Sequence, residues 1–315
     1  MATSTVLTCP SCAGEDWQPW RTSGEWSYVR CRRCGLVRID PFPRPDELAR
    51  VFDEGYFVDG GSRGGYADYD ADAELHTVNA AARLDALASP TAAGAGAGAG
   101  AAAAVAVEAA VGAGPMVPTD ARPVLIDVGC ASGYTLDEAV RRGWRGVGVE
   151  VSAEVARRSR DKGHRVEASL ADLGDLRGTV DAICFFQVLE HLPDPVAALA
   201  EAARLLRPGG TLLCETWDGD SLVSRVSANH WQQLSPPSVL WVFDRPSTRA
   251  MLSAAGLRPV SWRRTSKVVS LGLVLGQLGA AQSSAGLAGR AVARLRRTRL
   301  RYGLGDLVMF RASRP

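Results

Sequence analysis

The sequence contains no run of eighteen apolar residues. Its best candidate, VVSLGLVLGQLGAA at 268–281, is too short to cross a bilayer. The amino terminus, MATSTVLTCPSC, carries no basic stretch followed by a long apolar one, so no signal peptide is expected and a cytoplasmic location is the expectation. Net charge is also scarce: the formal value is +2 over 315 residues. That balance is uneven, because Arg258 to Arg301 holds ten Arg or Lys and no Asp or Glu, which leaves about −8 for the remainder. Histidine is sparse, with His76, His164, His191 and His230 as the whole supply of ordinary acid–base groups near neutrality. What is present is a globular composition, 46% hydrophobic and 22% charged, at a length suited to one sizeable α/β domain plus additions. Seven cysteines include two C-x-x-C pairs, a pattern that points to metal ligation more than to disulfides.

Organisation changes sharply along the chain. Residues 1–40 are rich in Cys, Trp and Arg, with little room for a core. Residues 41–88 begin with prolines and end in an amphipathic helix expected over 72–88. From 89 to 122 composition collapses into alternating Gly and Ala, which offer nothing to bury and read as a flexible insert. From 123 the pattern is regular. VLIDV, GVGVEV, RVEAS, VDAICFF and GTLLCETW read as strands, with helices expected at 133–142, 153–162 and 195–206 between them. Strands alternating with helices over short connections predict a parallel, doubly wound α/β sheet. RPGG at 207–210 marks a helix stop and turn, 218–245 reads as irregular, and a helix is expected at 246–255. Strand RPVSWRR, a basic helical segment within 265–303 and a last strand at 305–312 complete the chain.

The first turn of the regular part, DVGCASG, decides the ligand class. A dinucleotide site needs G-x-G-x-x-G, whose bare backbone N–H groups face a pyrophosphate. Here the pattern is D-x-G-x-A-x-G, with Asp127, Gly129, Ala131 and Gly133, and a carboxylate beside a pyrophosphate would repel it. The acid suits a ligand with an ammonium or sulfonium at that end. Glu150 closes the second strand, where an acid can accept hydrogen bonds from both ribose hydroxyls. Adenosine, ribose and a cationic amino acid describe S-adenosyl-L-methionine (SAM). A nicotinamide oxidoreductase is disfavoured by the same spacing.

With DVGCASG, GVEVS, FFQVLEHLPDP and LLRPGGTLLCETW in order, residues 123–262 and the final strand resemble the class I SAM-dependent methyltransferases. The resemblance implies a Rossmann-like seven-stranded sheet with the last strand antiparallel near one edge. Asp127, Gly129, Ala131 and Gly133 would line the methionine part, Glu150 would hold the ribose, and Val151 would flank the adenine. Gln187 would face the methionine or methyl group. Ser169 and Leu170 stand where many members place an Asp on the adenine amino group, and Asp172 sits a little later. Tyr56, Tyr66 and Tyr69 lie in a segment resembling the family's lid over SAM; Tyr66 or Tyr69 would touch the methionine carboxylate or the acceptor, with ordinary packing as the alternative.

Cys9, Cys12, Cys31 and Cys34 form C-x2-C-x18-C-x2-C, which brings four thiolates to one tetrahedral zinc and leaves no open coordination position. The expected metal is therefore structural, with Arg30, Arg32 and Arg33 offsetting its negative thiolate shell. A zinc ribbon ahead of such a domain resembles a bacterial group acting on sugars and secondary metabolites. Cys130, Cys184 and Cys214 read as small buried apolar residues.

Methyl transfer needs alignment of the nucleophile and, for an alcohol, a base. His191, in VLEHLPDP, reads either as that base or as a hydrogen-bonded framework residue. Some relatives hold a divalent ion with acids here, but Gln187 replaces one of them, and no catalytic metal is expected. His230 lies in 218–245, the region that commonly roofs the acceptor pocket, where Trp231, Trp241 and Phe243 would supply apolar walls; it is the preferred base. The basic stretch bearing Arg290, Arg294 and Arg297 reads as a solvated face, or as a grip for an anionic or carrier-bound acceptor, a membrane surface or nucleic acid. The leading expectation is O-methylation of a sugar or secondary metabolite, with N- or C-methylation close behind. An RNA methyltransferase and a non-catalytic SAM-binding scaffold stand as rivals, and the oligomeric state is open.

Overall fold

The computed structural model describes residues 8–51, 69–88, 122–271 and 298–315. Strands β1 (Trp17–Ser23), β2 (Trp26–Cys31) and β3 (Val37–Asp40) form an antiparallel meander. Helices α1 (Pro45–Val51) and α2 (Ala73–Ala88) follow, the second almost as expected from its pattern. The Gly/Ala-rich insert and Tyr56 and Tyr66 lie outside the described residues.

The regular part then runs β4 (Val124–Val128), α3 (Tyr134–Arg141), β5 (Arg145–Val149), α4 (Ala153–Asp161), β6 (Arg165–Glu167), β7 (Val180–Phe186), α5 (Pro195–Leu205) and β8 (Leu206–Trp217). All five strands are parallel, and β4 sits between β5 and β7 with every residue buried, which is why it reads as an unbroken apolar run. α5 starts where Asp194 Oδ1 accepts the Ala197 N–H, with Pro195 at the first helical position. RPGG is looped out of the ladder: pairing with β7 jumps from Leu206 to Thr211, and Gly209 takes φ +74°.

The segment expected to be irregular contains α6 (Leu222–Ser227) and a two-residue strand, β9 (Trp241–Val242), before α7 (Arg245–Ala254), capped by Asp244. β10 (Arg258–Arg264) follows. The basic segment differs from expectation at both described ends. β11 (Lys267–Ser270) and β12 (Arg299–Tyr302) are strands that pair with each other, Lys267 opposite Tyr302. Helical spacing of arginines carried the expectation, whereas the ends are fixed by long-range pairing and by Asn79 of α2. The Asn79 amide accepts the Val268 N–H at 2.7 Å and donates to the Val268 carbonyl at 2.8 Å, like a neighbouring strand. Residues 272–297, including Arg290, Arg294 and Arg297, lie outside the described residues.

The last strand, β13 (Leu307–Ser313), runs antiparallel between β8 and β10, giving the order β10-β13-β8-β7-β4-β5-β6. The expected α/β fold with an antiparallel last strand is what the chain adopts. α2 lies over one face of this sheet, where Leu84 and Ala86 join Leu125, Ala139, Leu213 and Met309. The amino-terminal meander is completed by β9, which pairs with β3, so a strand from the carboxy-terminal half closes the amino-terminal sheet. One apolar cluster runs from Cys9, Tyr28 and Val37 through Trp241 and Phe243 to Ile126 and Phe185.

Candidate functional site

The turn after β4 is built from left-handed residues: Gly129 at φ +72°, Ala131 at +46° and Gly133 at +83°. Two of them also lack space. A Cβ on Gly129 would meet Val188 Cγ2 at 2.4 Å, and one on Gly133 would meet Ser159 Oγ at 2.4 Å. Four backbone donors of the turn, those of Gly129, Cys130, Ala131 and Gly133, are already used. Gly129 and Cys130 both donate to the Val149 carbonyl, and Ala131 donates to Glu150 Oε2. A phosphate nest needs those N–H groups free, so the geometry excludes the pyrophosphate reading on different grounds from the sequence.

Asp127 ends β4 with 3% exposure, and Glu150 follows β5 with 6%. Burial pushes the Asp127 carboxyl up to about 7, against the lowering influence of Thr135 and Arg83, and the neighbouring Glu150 charge adds to the rise. Burial raises Glu150 as well, opposed by backbone donors from Ser152 and Ala131. Each Glu150 oxygen spends one lone pair on those donors, leaving the others available to a diol. Beside it Val151 is 75% exposed, an apolar side chain bare at the lip of an otherwise buried turn. These groups fit SAM: two desolvated acids beside an apolar platform. Ser169 and Leu170 open the short 3-10 helix after β6, where Asp172 takes both the Ser169 N–H and hydroxyl. Asp172 is thereby a cap in this structure.

Tyr69 stacks on His76 of α2 at 3.9 Å between ring centroids, and His76 stacks on Tyr134 at 5.3 Å. Tyr69 also packs with Ala131 and Val155, which brings the start of α2 onto the turn. Asp70 fixes it there, accepting from Tyr134 and Arg158 at 2.8 Å each. Burial lowers His76 to about 4.

Gln187 follows β7 in a left-handed conformation, φ +58°, with its N–H on the Glu215 carbonyl at 2.7 Å. Its side-chain oxygen accepts from Lys267 Nζ at 2.9 Å. Around this pair lie Arg83 and Glu215, which the sequence reading did not single out, and Glu190, the acid left beside Gln187 when no catalytic metal was expected. Arg83 of α2 forms a buried ion pair with Glu215 of β8, and its guanidinium lies over the Phe186 ring at 4.9 Å. Glu190 is 2% exposed; its Oε2 accepts from Thr216 Oγ1 at 3.0 Å, while its buried Oε1 has no partner. One signal was available for Lys267. The chain has only two lysines, Lys162 and Lys267, against thirty-four arginines.

The two histidine candidates fall apart. His191 ends a 3-10 turn after β7, and its Nδ1 donates to the Ser238 carbonyl at 2.7 Å, which ties the turn to 218–245. His230 is exposed on another 3-10 turn whose neighbour Asn229 accepts the Thr22 N–H of β1. Its turn is tied to the amino-terminal sheet, whereas that of His191 is tied to Ser238. Trp231, Trp241 and Phe243 are buried in packing, with the indole N–H groups donated to Asp306 and to the Leu192 carbonyl.

In the amino-terminal part, Cys9 and Cys34 lie 3.5 Å apart and Cys12 and Cys31 3.6 Å apart, with all four sulfurs within 4.8 Å of one another. A tetrahedron with Zn–S near 2.3 Å requires sulfurs about 3.8 Å apart, so the residues fit the metal. Ala13 and Gly35 take left-handed backbone to turn each knuckle, closed by bonds from Ala13 N to the Cys9 carbonyl and from Gly35 N to the Cys31 carbonyl.

Comparison with known proteins agrees with this geometry. The methyltransferase domain family model matches residues 102–261. The ubiquinone biosynthesis O-methyltransferase of Xanthomonas campestris is 25% identical over 168 residues, 46% of this chain and 70% of that enzyme. An uncharacterised 37.1 kDa transposon protein of Streptomyces fradiae is 39% identical over 114 residues, which span only 33% of each chain. A SAM-dependent methyltransferase structure from Thermotoga maritima aligns over 78% of this chain and 93% of its own at 16% identity, with a TM-score of 0.45. Among the described residues no helix is long and apolar enough to cross a membrane. With half the chain matched and the strand-end acids in place, the chain belongs to the methyltransferase domain family and is a class I SAM-dependent methyltransferase.

Proposed function

We propose that the chain methylates a hydroxyl of a small molecule, a sugar or secondary metabolite, in the cleft at the carboxyl ends of β4, β5 and β7. The observation that carries the SAM pocket is the pairing of two desolvated acids with a turn whose Gly129, Cys130 and Ala131 N–H groups are already spent. When bound, SAM supplies an electrophilic methyl carbon activated by its sulfonium. Asp127 then faces the cationic amino-acid end, with Gly129, Ala131, Gly133 and Tyr69 along it. Glu150 receives the ribose hydroxyls, Val151, Ser169 and Leu170 flank the adenine, and Gln187 faces the methyl. The preference for oxygen draws on the similarity to an O-methyltransferase and on the rings one contact away from Gln187, whose partner Lys267 lies over Trp217, itself edge-on to Tyr302. Residues 1–40 act as a zinc ribbon holding one structural zinc through Cys9, Cys12, Cys31 and Cys34, 41–88 as a lid, and 218–245 as a roof joined to the ribbon. Calorimetric titration with S-adenosylhomocysteine (SAH), with NADH as control, tests the pocket. Micromolar binding of SAH alone is expected, followed by a gain of one methyl mass on an alcohol in an acceptor screen; binding of NADH or silence toward SAH would refute the reading.

A further inference from the structure

A chain with thirty-four arginines uses a lysine at 267. The two differ in one chemical respect that matters inside a protein: a guanidinium stays charged, whereas a desolvated ammonium can give up its proton. Lys267 is placed where that difference counts. It begins β11, opposite Tyr302 of β12, and its Nζ reaches across to Gln187 Oε1 at 2.9 Å. Gln187 in turn adjoins the SAM turn, since the next residue, Val188, packs so closely on Gly129 that no side chain fits there. Nζ also lies 4.9 Å from the Trp217 ring, which meets Tyr302 edge-on at 5.8 Å. The amine thus stands at the edge of the SAM turn with aromatic rings beside it.

We propose that Lys267 is the general base that takes the proton from the acceptor hydroxyl, oriented by Gln187 beside Trp217 and Tyr302. The inference rests on the methyl-transfer reading above and names the group that reading lacks. A neutral amine holding one N–H on the Gln187 amide oxygen keeps its lone pair for the acceptor. As Nζ takes the hydroxyl proton, the oxygen's electron pair forms the new C–O bond and the C–S pair returns to sulfur. The positive charge lost from the sulfonium reappears on Lys267, and the proton then passes to water. A cavity of about 20 Å³ lined by Lys267, Glu215, Arg83 and Asn79 has room for about one water on that path.

The electrostatic setting agrees with this role. Burial pulls the Lys267 ammonium down to about 8, with Arg83 of α2 adding to the fall. Glu215 of β8, Glu190 of the 3-10 turn after β7 and Asp306 before β13 oppose it. Among the described residues, His76 of α2 and Tyr302 of β12 are further titratable groups beside it; burial keeps the first neutral down to about 4 and raises the second. Glu215 is engaged with Arg83, and the hydrogen bond from Nζ goes to a neutral amide. A base working near neutral pH needs an affinity for protons in this range.

The two-lysine composition makes a direct test available. Protein labelled with 13C at lysine Cε is titrated by NMR, with and without SAH, and Lys162, exposed and paired with Asp137, serves as the reference. The expected result is a midpoint near 8 that is missing from Lys267→Met. Lys267→Met should bind SAH within threefold of wild type yet lose at least a hundredfold in kcat on an alcohol acceptor, with KM little changed and the acid-limb inflection gone. Lys267→Arg should not restore the rate, whereas added methylamine should restore part of it to Lys267→Ala. A Lys267 midpoint above 10 in wild-type protein overturns the proposal even where the variants fail to fold. So does a Lys267→Met kcat within threefold of wild type. Failure of wild-type protein to bind SAH removes the underlying pocket and the proposal with it, an outcome separate from either of these.

Discussion

Asp127 and Glu150 are two acids buried within one turn of each other, and neither has an arginine or lysine bonded to it among the described residues. Desolvation makes that arrangement costly, and a cationic, hydroxyl-bearing ligand relieves it. Asp127→Ala and Glu150→Ala should each weaken SAH binding at least tenfold; unchanged affinity in both would sink the assignment. The pH dependence has a definite sign. With Asp127 held at about 7 in the free protein, protonation competes with an incoming ammonium. SAH affinity should be flat above pH 7 and fall by up to about tenfold per unit below it, and Asp127→Asn should flatten the profile. Calorimetry in buffers of different ionisation enthalpy would register the released proton near pH 6, and no proton release would count against the contact. At this scale the sequence was legible for Asp127, Gly129, Gly133 and Glu150, because motif and strand end fall together in the chain. Lys267, Arg83 and Glu190 were not, since their significance depends on partners 80, 132 and 26 residues away.

α2 illustrates how an element is held. Its apolar residues cover the sheet, yet its position along the strand ends is set by polar contacts: Arg83 to Glu215, Asn79 to β11, and Ala81 accepting from Arg142 at 2.9 Å. Arg83→Met leaves Glu215 charged and unpaired at 2% exposure. Breaking a buried pair from one side costs about 3 kcal/mol or more, so the variant should melt well below wild type. Arg83→Met combined with Glu215→Leu should recover most of that loss, and a double variant no better than the single one would show that packing dominates. Strands and helices with their own periodicity, β4 to β8 and α2 to α5, could be read from the chain. β9, β11 and β12 could not, because two to four residues acquire strand geometry only from a distant partner.

Over the whole molecule, the amino-terminal sheet and the methyltransferase part are joined covalently at one end and by packing at the other. β3 pairs with β9, Tyr28 donates to the Val239 carbonyl at 2.8 Å, Ser23 to that of Leu234 at 3.0 Å, and Arg21 to Ser224 at 2.8 Å. Every acceptor or partner in that set belongs to 218–245, so on the proposed reading the four cysteines would hold that segment by holding the strands beside it. A single apolar cluster continues through both parts. A small zinc module on a linker would melt or lose metal without disturbing its neighbour. Here the two should respond together. Purified protein should contain about one zinc per chain, lost in Cys31→Ser. Calorimetry of the loaded protein should show one transition, and a chelator should move that transition down as a whole, because binding free energy of the metal is folding free energy for everything coupled to it. Hydrogen exchange would then speed up in 234–242 as well as in β1–β3. A separate early transition with 234–242 still protected would mean that the interface is adventitious and that the roof stands on the methyltransferase core alone.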